Sequence, residues 1–135
     1  MKPDNTKKCD ILIQAGKLLT KSGNIIGPQE VAIAENKIIE VGTDLNFNAA
    51  KLLKFPDDLL IPGLVDLHFH PGPNSWKYAV EPDEWTLTKG TTTVLSQGDA
   101  GINNWDYYKN NIIAKSKTRV VMAISISNYG DELET

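Results

Sequence analysis

Apolar and polar positions along the chain fall into two regimes. Residues 10–20, DILIQAGKLLT, are rich in Ile and Leu and interrupted by Gly16; the following KSGNIIGPQ carries turn residues. Residues 30–42, EVAIAENKIIEVG, hold two alternating segments that meet at Glu35, Asn36 and Lys37. Period-two alternation around a polar break predicts a hairpin, and this half reads as a small antiparallel sheet. After about Lys54 the pattern changes. Residues 59–69, LLIPGLVDLHF, are almost continuously apolar apart from Pro62 and Gly63. Strands covered on both faces read this way and are typical of parallel sheets. Residues 82–90, PDEWTLTKG, open on proline and acids and close on Lys-Gly, the start and stop signals of a helix. TTTVLSQ (91–97) predicts a short strand. NNWDYYKNNIIAKSK (103–117) spaces Trp105, Tyr108, Ile112 and Ile113 near helical intervals, and RVVMAISI (119–126) predicts another buried strand. The order strand, helix, strand, helix, strand is the alternation of an α/β fold built on a parallel sheet.

Composition narrows this reading without redirecting it. With 135 residues the chain is one ordinary domain or a piece of something larger. Fourteen basic and seventeen acidic residues leave a formal charge of −3, so nothing favours nucleic acid or an anionic membrane as partner. Cys9 is the single cysteine, which removes an intramolecular disulfide and a thiol-rich metal knuckle from consideration. It reads as a small residue near the start of a strand. The first ten residues lack a signal-peptide core, and no apolar stretch reaches the ~20 residues of a membrane helix, so a cytoplasmic protein is expected.

The chemistry concentrates in one tripeptide. His68 and His70 are the only histidines, and they flank Phe69 at the end of an apolar run, with Pro71-Gly72-Pro73 directly after. Residues i and i+2 of a strand face the same side, about 6–7 Å apart at Cα, so both imidazoles point together while Phe69 points away. Proline and glycine end the strand there, at the mouth where parallel α/β folds build their sites. Two convergent imidazoles suit a divalent cation. A pair of histidines with ordinary hydrogen bonds is the plainer alternative. Asp66 lies two residues earlier on the same face and is expected to brace nearby loops or orient a ligand histidine.

IPGLVDLHFH (61–70) resembles the signature of the amidohydrolase superfamily, the dihydroorotase- and deacetylase-like metal-dependent hydrolases. NKIIEVG (36–42) is similar to an element of that family's N-terminal β domain. KGTTTVLSQGDAG (89–101) resembles its second barrel strand and loop, and residues 103–130 resemble the next helix and strand of the deacetylase-like branch. The resemblance implies a β-sandwich-like unit over residues 1–58. Residues 59–135 then form the first strands and helices of a TIM-type (β/α)8 barrel, incomplete in this chain. It implies that His68 and His70 are metal ligands for zinc or another divalent ion, one or two per site. The remaining ligands and the general base belong to later strands that this sequence does not contain.

The activity so implied is hydrolysis of an amide or cyclic amide, a small-molecule C–N substrate, by a metal-activated hydroxide. Full-length homo-oligomers are an open option. Ser96, Gln97 and Asp99, at the end of the second strand, are candidates to line the substrate pocket; as a turn, QGDAG would instead let Asp99 bond its own backbone. Trp85 and Trp105 read as packing residues, and Trp76 as packing or a substrate contact. Two rival readings remain: a non-catalytic member of the fold serving as a binding or oligomerisation module, and a stand-alone metal-binding β/α protein.

Overall fold

The computed structural model describes residues 7–73 and 77–130. Trp76 and the acidic end DELET therefore lie outside the described residues. Strands dominate, helices are few and short, and the chain is mixed α/β. It falls into two compact units that divide between Pro62 and Gly63, a few residues after the division at residue 58 that the resemblance implies. The difference arises because Leu59 and Leu60 finish a strand of the first unit.

The first unit is a five-stranded sheet of β1 (Lys7–Leu19), β2 (Ile25–Ile26), β3 (Gln29–Ala34), β4 (Lys37–Gly42) and β5 (Phe47–Leu60). β1 is its centre. It pairs antiparallel with β3 along Ile11–Ala15 and with β2 at Leu18 and Leu19, and parallel with β5. The sheet is thus mixed, not purely antiparallel. Nothing in the apolar pattern predicts β5, whose run FNAAKLLKFPDDLL has no clean alternation. The β3–β4 hairpin turns at Glu35 and Asn36, whose φ values of 50° and 59° are the left-handed pair a two-residue turn of matching twist requires. Gly16 does not break β1. The strand runs through it, with a register shift between Ala15 and Lys17. A Cβ at Gly16 would lie 1.8 Å from the Pro56 carbonyl oxygen, so only glycine admits this approach of β5. Buried Cys9, Leu12 and Ala32 form the core with Leu45, Phe47 and Ala49.

The second unit carries three parallel strands in the order β6 (Leu64–Phe69), β7 (Thr91–Gln97), β8 (Arg119–Ala123). Helix α1 (Pro82–Thr86) continues into a 3-10 turn, Leu87–Lys89, and stops at Gly90 with φ 79°. A helical segment from Trp105 begins as α2 (Trp105–Tyr107) and widens into a π-helical stretch, Tyr108–Ile113. The alternation of strands and helices matches the sequence pattern, but both helices are shorter than it predicts. Phe69, Val94 and Val120, one from each strand, pack with Val80 and Ile113. Ala100, Tyr108 and Ile112 form a second cluster with Trp105 and Met122. Trp85 is half exposed beneath the Lys89 ammonium, 4.8 Å from its ring centroid, so it is a surface residue and not a core one.

Polar contacts join α1 to the entrance of β8. The Asp83 carboxylate accepts the Lys117 and Thr118 backbone N–H groups at 2.9 and 2.8 Å. Partial burial works to raise the Asp83 pKa, but these donors, the Thr118 hydroxyl and the Lys117 charge outweigh it and hold the carboxyl below its usual range. The Thr86 hydroxyl donates to the Pro82 carbonyl at 2.7 Å and lies 2.9 Å from the Thr118 hydroxyl. Among the described residues no helix is long and apolar enough to cross a membrane.

Candidate functional site

His68 is the penultimate residue of β6 and His70 follows its end. The strand's alternation decides their placement: Phe69 is buried in the core, His68 is exposed and His70 half-buried. The two rings lie side by side, with centroids 5.3 Å apart and planes at 60°. Pro71 then leaves β6 and forms a single bridge to Val80, where the Val80 N–H donates to the His70 carbonyl at 3.0 Å. Asp66 does not touch a ring. Its Oδ1 accepts the backbone N–H of His68 at 3.0 Å and so braces the strand end.

The ring contact comes instead from the turn after β7. His70 Nδ1 lies 2.6 Å from Asp99 Oδ1, and the other Asp99 oxygen accepts the Ser96 hydroxyl. Ser96 is fully buried and Asp99 is 7% exposed. Ser96 stands opposite Phe69 in the strand register, which brings the end of β7 beside the end of β6. The turn after β7 is tied down by the strand beyond it. Gly98 N–H donates to the Ala123 carbonyl at 3.0 Å, and Ser125 N–H to the Ala100 carbonyl at 2.8 Å. Gly98 adopts φ 103°, and a Cβ on Gly130 would lie 2.3 Å from the Asp99 carbonyl oxygen. Gln97 is exposed, and its side-chain amide donates to the Leu67 carbonyl.

A carboxylate can only accept, so the bond to Asp99 places a hydrogen on His70 Nδ1 and, in the neutral ring, leaves Nε2 with its lone pair. Imidazole nitrogens suit zinc and neighbouring transition metals. The pair fits a cation as part of a ligand set. Among the described residues no group of three or more His, Cys, Asp or Glu side chains could hold a metal ion. Of the residues the sequence singles out, His68, His70, Ser96 and Asp99 come together; Gln97 is bound to the β6 backbone instead, and Asp66 accepts the His68 backbone N–H. Ser96 carries no motif. Its signal is positional: a hydroxyl on the buried face of a strand, three residues before an acid.

No protein-family model matches the chain. A curated relative, a deacetylase of Enterococcus faecalis, is 32% identical over 117 residues, which is 84% of this chain and 31% of the relative. The chain therefore spans about a third of that protein's length. Two solved structures share most of its fold. One, an adenine deaminase, is 30% identical with a TM-score of 0.76 and covers 91% of this chain and 32% of its own. The other, a dihydroorotase, is 26% identical with a TM-score of 0.77 and covers 90% and 32%. An adenosine deaminase from Xanthomonas campestris, solved with bound zinc, shares the fold alone at 16% identity and a TM-score of 0.59, over 87% of this chain and 43% of its own. The signature at the end of β6, the paired imidazoles and these likenesses agree: the chain belongs to the amidohydrolase superfamily of hydrolases.

Proposed function

We propose that this chain is part of a metal-dependent hydrolase of carbon–nitrogen bonds, acting on a small amide or cyclic amide, and that His68 and His70 are two ligands of its cation. The observation that carries the reading is the pair of rings 5.3 Å apart at a strand end, one of them with its Nδ1 already engaged. On this reading the second unit is the start of a (β/α)8 barrel and the first a part of its β-sandwich-like companion. Support comes from β6 and β8, which among the described residues pair only with β7 and so leave an edge each. Zinc is the cation proposed, in keeping with an all-imidazole pair.

A bound divalent ion supplies Lewis-acid activation of water and of the scissile carbonyl. This chain's own residues hold and shape the site. Asp66 fixes the strand end by accepting the His68 N–H. Phe69, buried between the strands, keeps both imidazoles on the opposite side. Gln97, exposed beside Leu67, is the candidate to meet substrate, and Asp99, behind His70, does so only through that ring. The general base and the remaining ligands come from residues outside these 135. The 135-residue chain accordingly binds zinc weakly and turns nothing over. Zinc competition titration of the wild type and of His68→Ala and His70→Ala tests this. Binding that is weak but measurable, and lost in both variants, is expected; equal binding in all three contradicts the reading.

A further inference from the structure

We propose that Ser96 and Asp99 are positioning residues that set the tautomer and aim of His70; the proposal rests on His70 being a metal ligand. Asp99 uses each carboxylate oxygen once, Oδ1 on His70 Nδ1 and Oδ2 on the Ser96 hydroxyl. A carboxylate bound through one oxygen still turns about its own Cβ–Cγ bond. The Ser96 hydroxyl holds the second oxygen and stops that rotation. Ser96 can do so because it is a fully buried strand residue, out of reach of bulk solvent. The backbone of Asp99 is fixed as well, by the Gly98 and Ala100 bonds to the end of β8 and by the close approach of Gly130. His70, Asp99 and Ser96 are thus linked from the exposed strand end into the core, and because both bonds end on the carboxylate, which only accepts, the proton stays on Nδ1 and the lone pair on Nε2. With a bond on each oxygen and only 7% of the residue exposed, Asp99 is placed to act on the ring and not on substrate.

The test is long-range 1H–15N correlation on the full 135-residue chain with labelled histidine, metal-free and in mildly alkaline buffer, followed by zinc titration. Wild-type His70 is expected as the Nδ1–H tautomer. Asp99→Asn and Ser96→Ala should each raise the Nε2–H population of His70, leave the His68 signals in place and weaken zinc binding, by roughly 10–100-fold for Asp99→Asn. Ser96→Ala removes one oxygen without changing the packing greatly, so it carries the test if Asp99→Asn does not fold. An Nε2–H tautomer in the wild type overturns the proposal. So does an unchanged tautomer in a folded variant, even one with a lowered melting temperature, because that is the mark of a merely structural bond. A fixed Nδ1–H tautomer that depends on both residues, in a wild type that takes up no zinc, supports the positioning and overturns the metal reading instead.

Discussion

Single residues do two kinds of work here, and they are unequally legible. That His68 and His70 share a side follows from period-two alternation and needs no other part of the chain. That Asp99 meets His70 does not follow, because 29 residues and a helical crossover separate them. Sequence spacing locates Asp99 at a strand end, where it reads as a pocket-lining residue or as a turn residue bonding its own backbone, and neither reading contains the contact with the His70 ring. Gly16 is similar. It reads as a break, yet it is a contact point between two strands, and the partner, Pro56, is invisible without the pairing. Gly16→Ala must therefore push β5 away, since its Cβ would meet the Pro56 carbonyl at 1.8 Å. A loss of about 2–3 kcal/mol is expected in urea unfolding. A Cβ on Gly27 would meet no atom within 4 Å, so Gly27→Ala serves as the control and should stay within ~0.5 kcal/mol of the wild type. Equal stability of the two variants would show that the strands do not meet as described.

At the scale of elements, local signals serve best where one rule governs. Alternation and a polar turn locate the β3–β4 hairpin, and proline, acids and glycine bracket α1. β5 escapes because a long strand paired in parallel with a distant partner carries no local signature. The helix before β8 is legible in position but not in its irregular π-helical form, which depends on packing Tyr108 and Ile112 against Ala100. The link between α1 and β8 has a pH signature. Asp83 is held below the usual carboxylate range, so it binds protons less readily folded than unfolded. Its stabilisation is present above the unfolded value of about 3.9 and is lost as pH falls through the lower folded value. Asp83→Asn should cost about 1 kcal/mol near neutrality, and the gap in melting temperature to the wild type should close below about pH 4. A gap that persists unchanged into acid would mean that the charge of Asp83 is not what holds Lys117 and Thr118.

For the molecule as a whole, the family is legible because its signature is local: IPGLVDLHFH spans a strand, its end and two histidines in ten residues. What one sequence withholds is the set of groups that other strands bring to the same strand end. The described residues expose Leu64, Val65 and Leu67 on β6 and Ile124 and Ile126 after β8, so self-association at high concentration is the behaviour to guard against in any solution experiment. The claim on which the functional account turns is that one cation takes both imidazoles. X-ray absorption on the dilute, zinc-loaded chain reads that number directly. Two imidazoles in the wild-type zinc shell, and no zinc held through imidazole by His68→Ala or His70→Ala, is the predicted result. A shell with fewer than two imidazoles in the wild type, or one that either substitution leaves intact, would contradict the account.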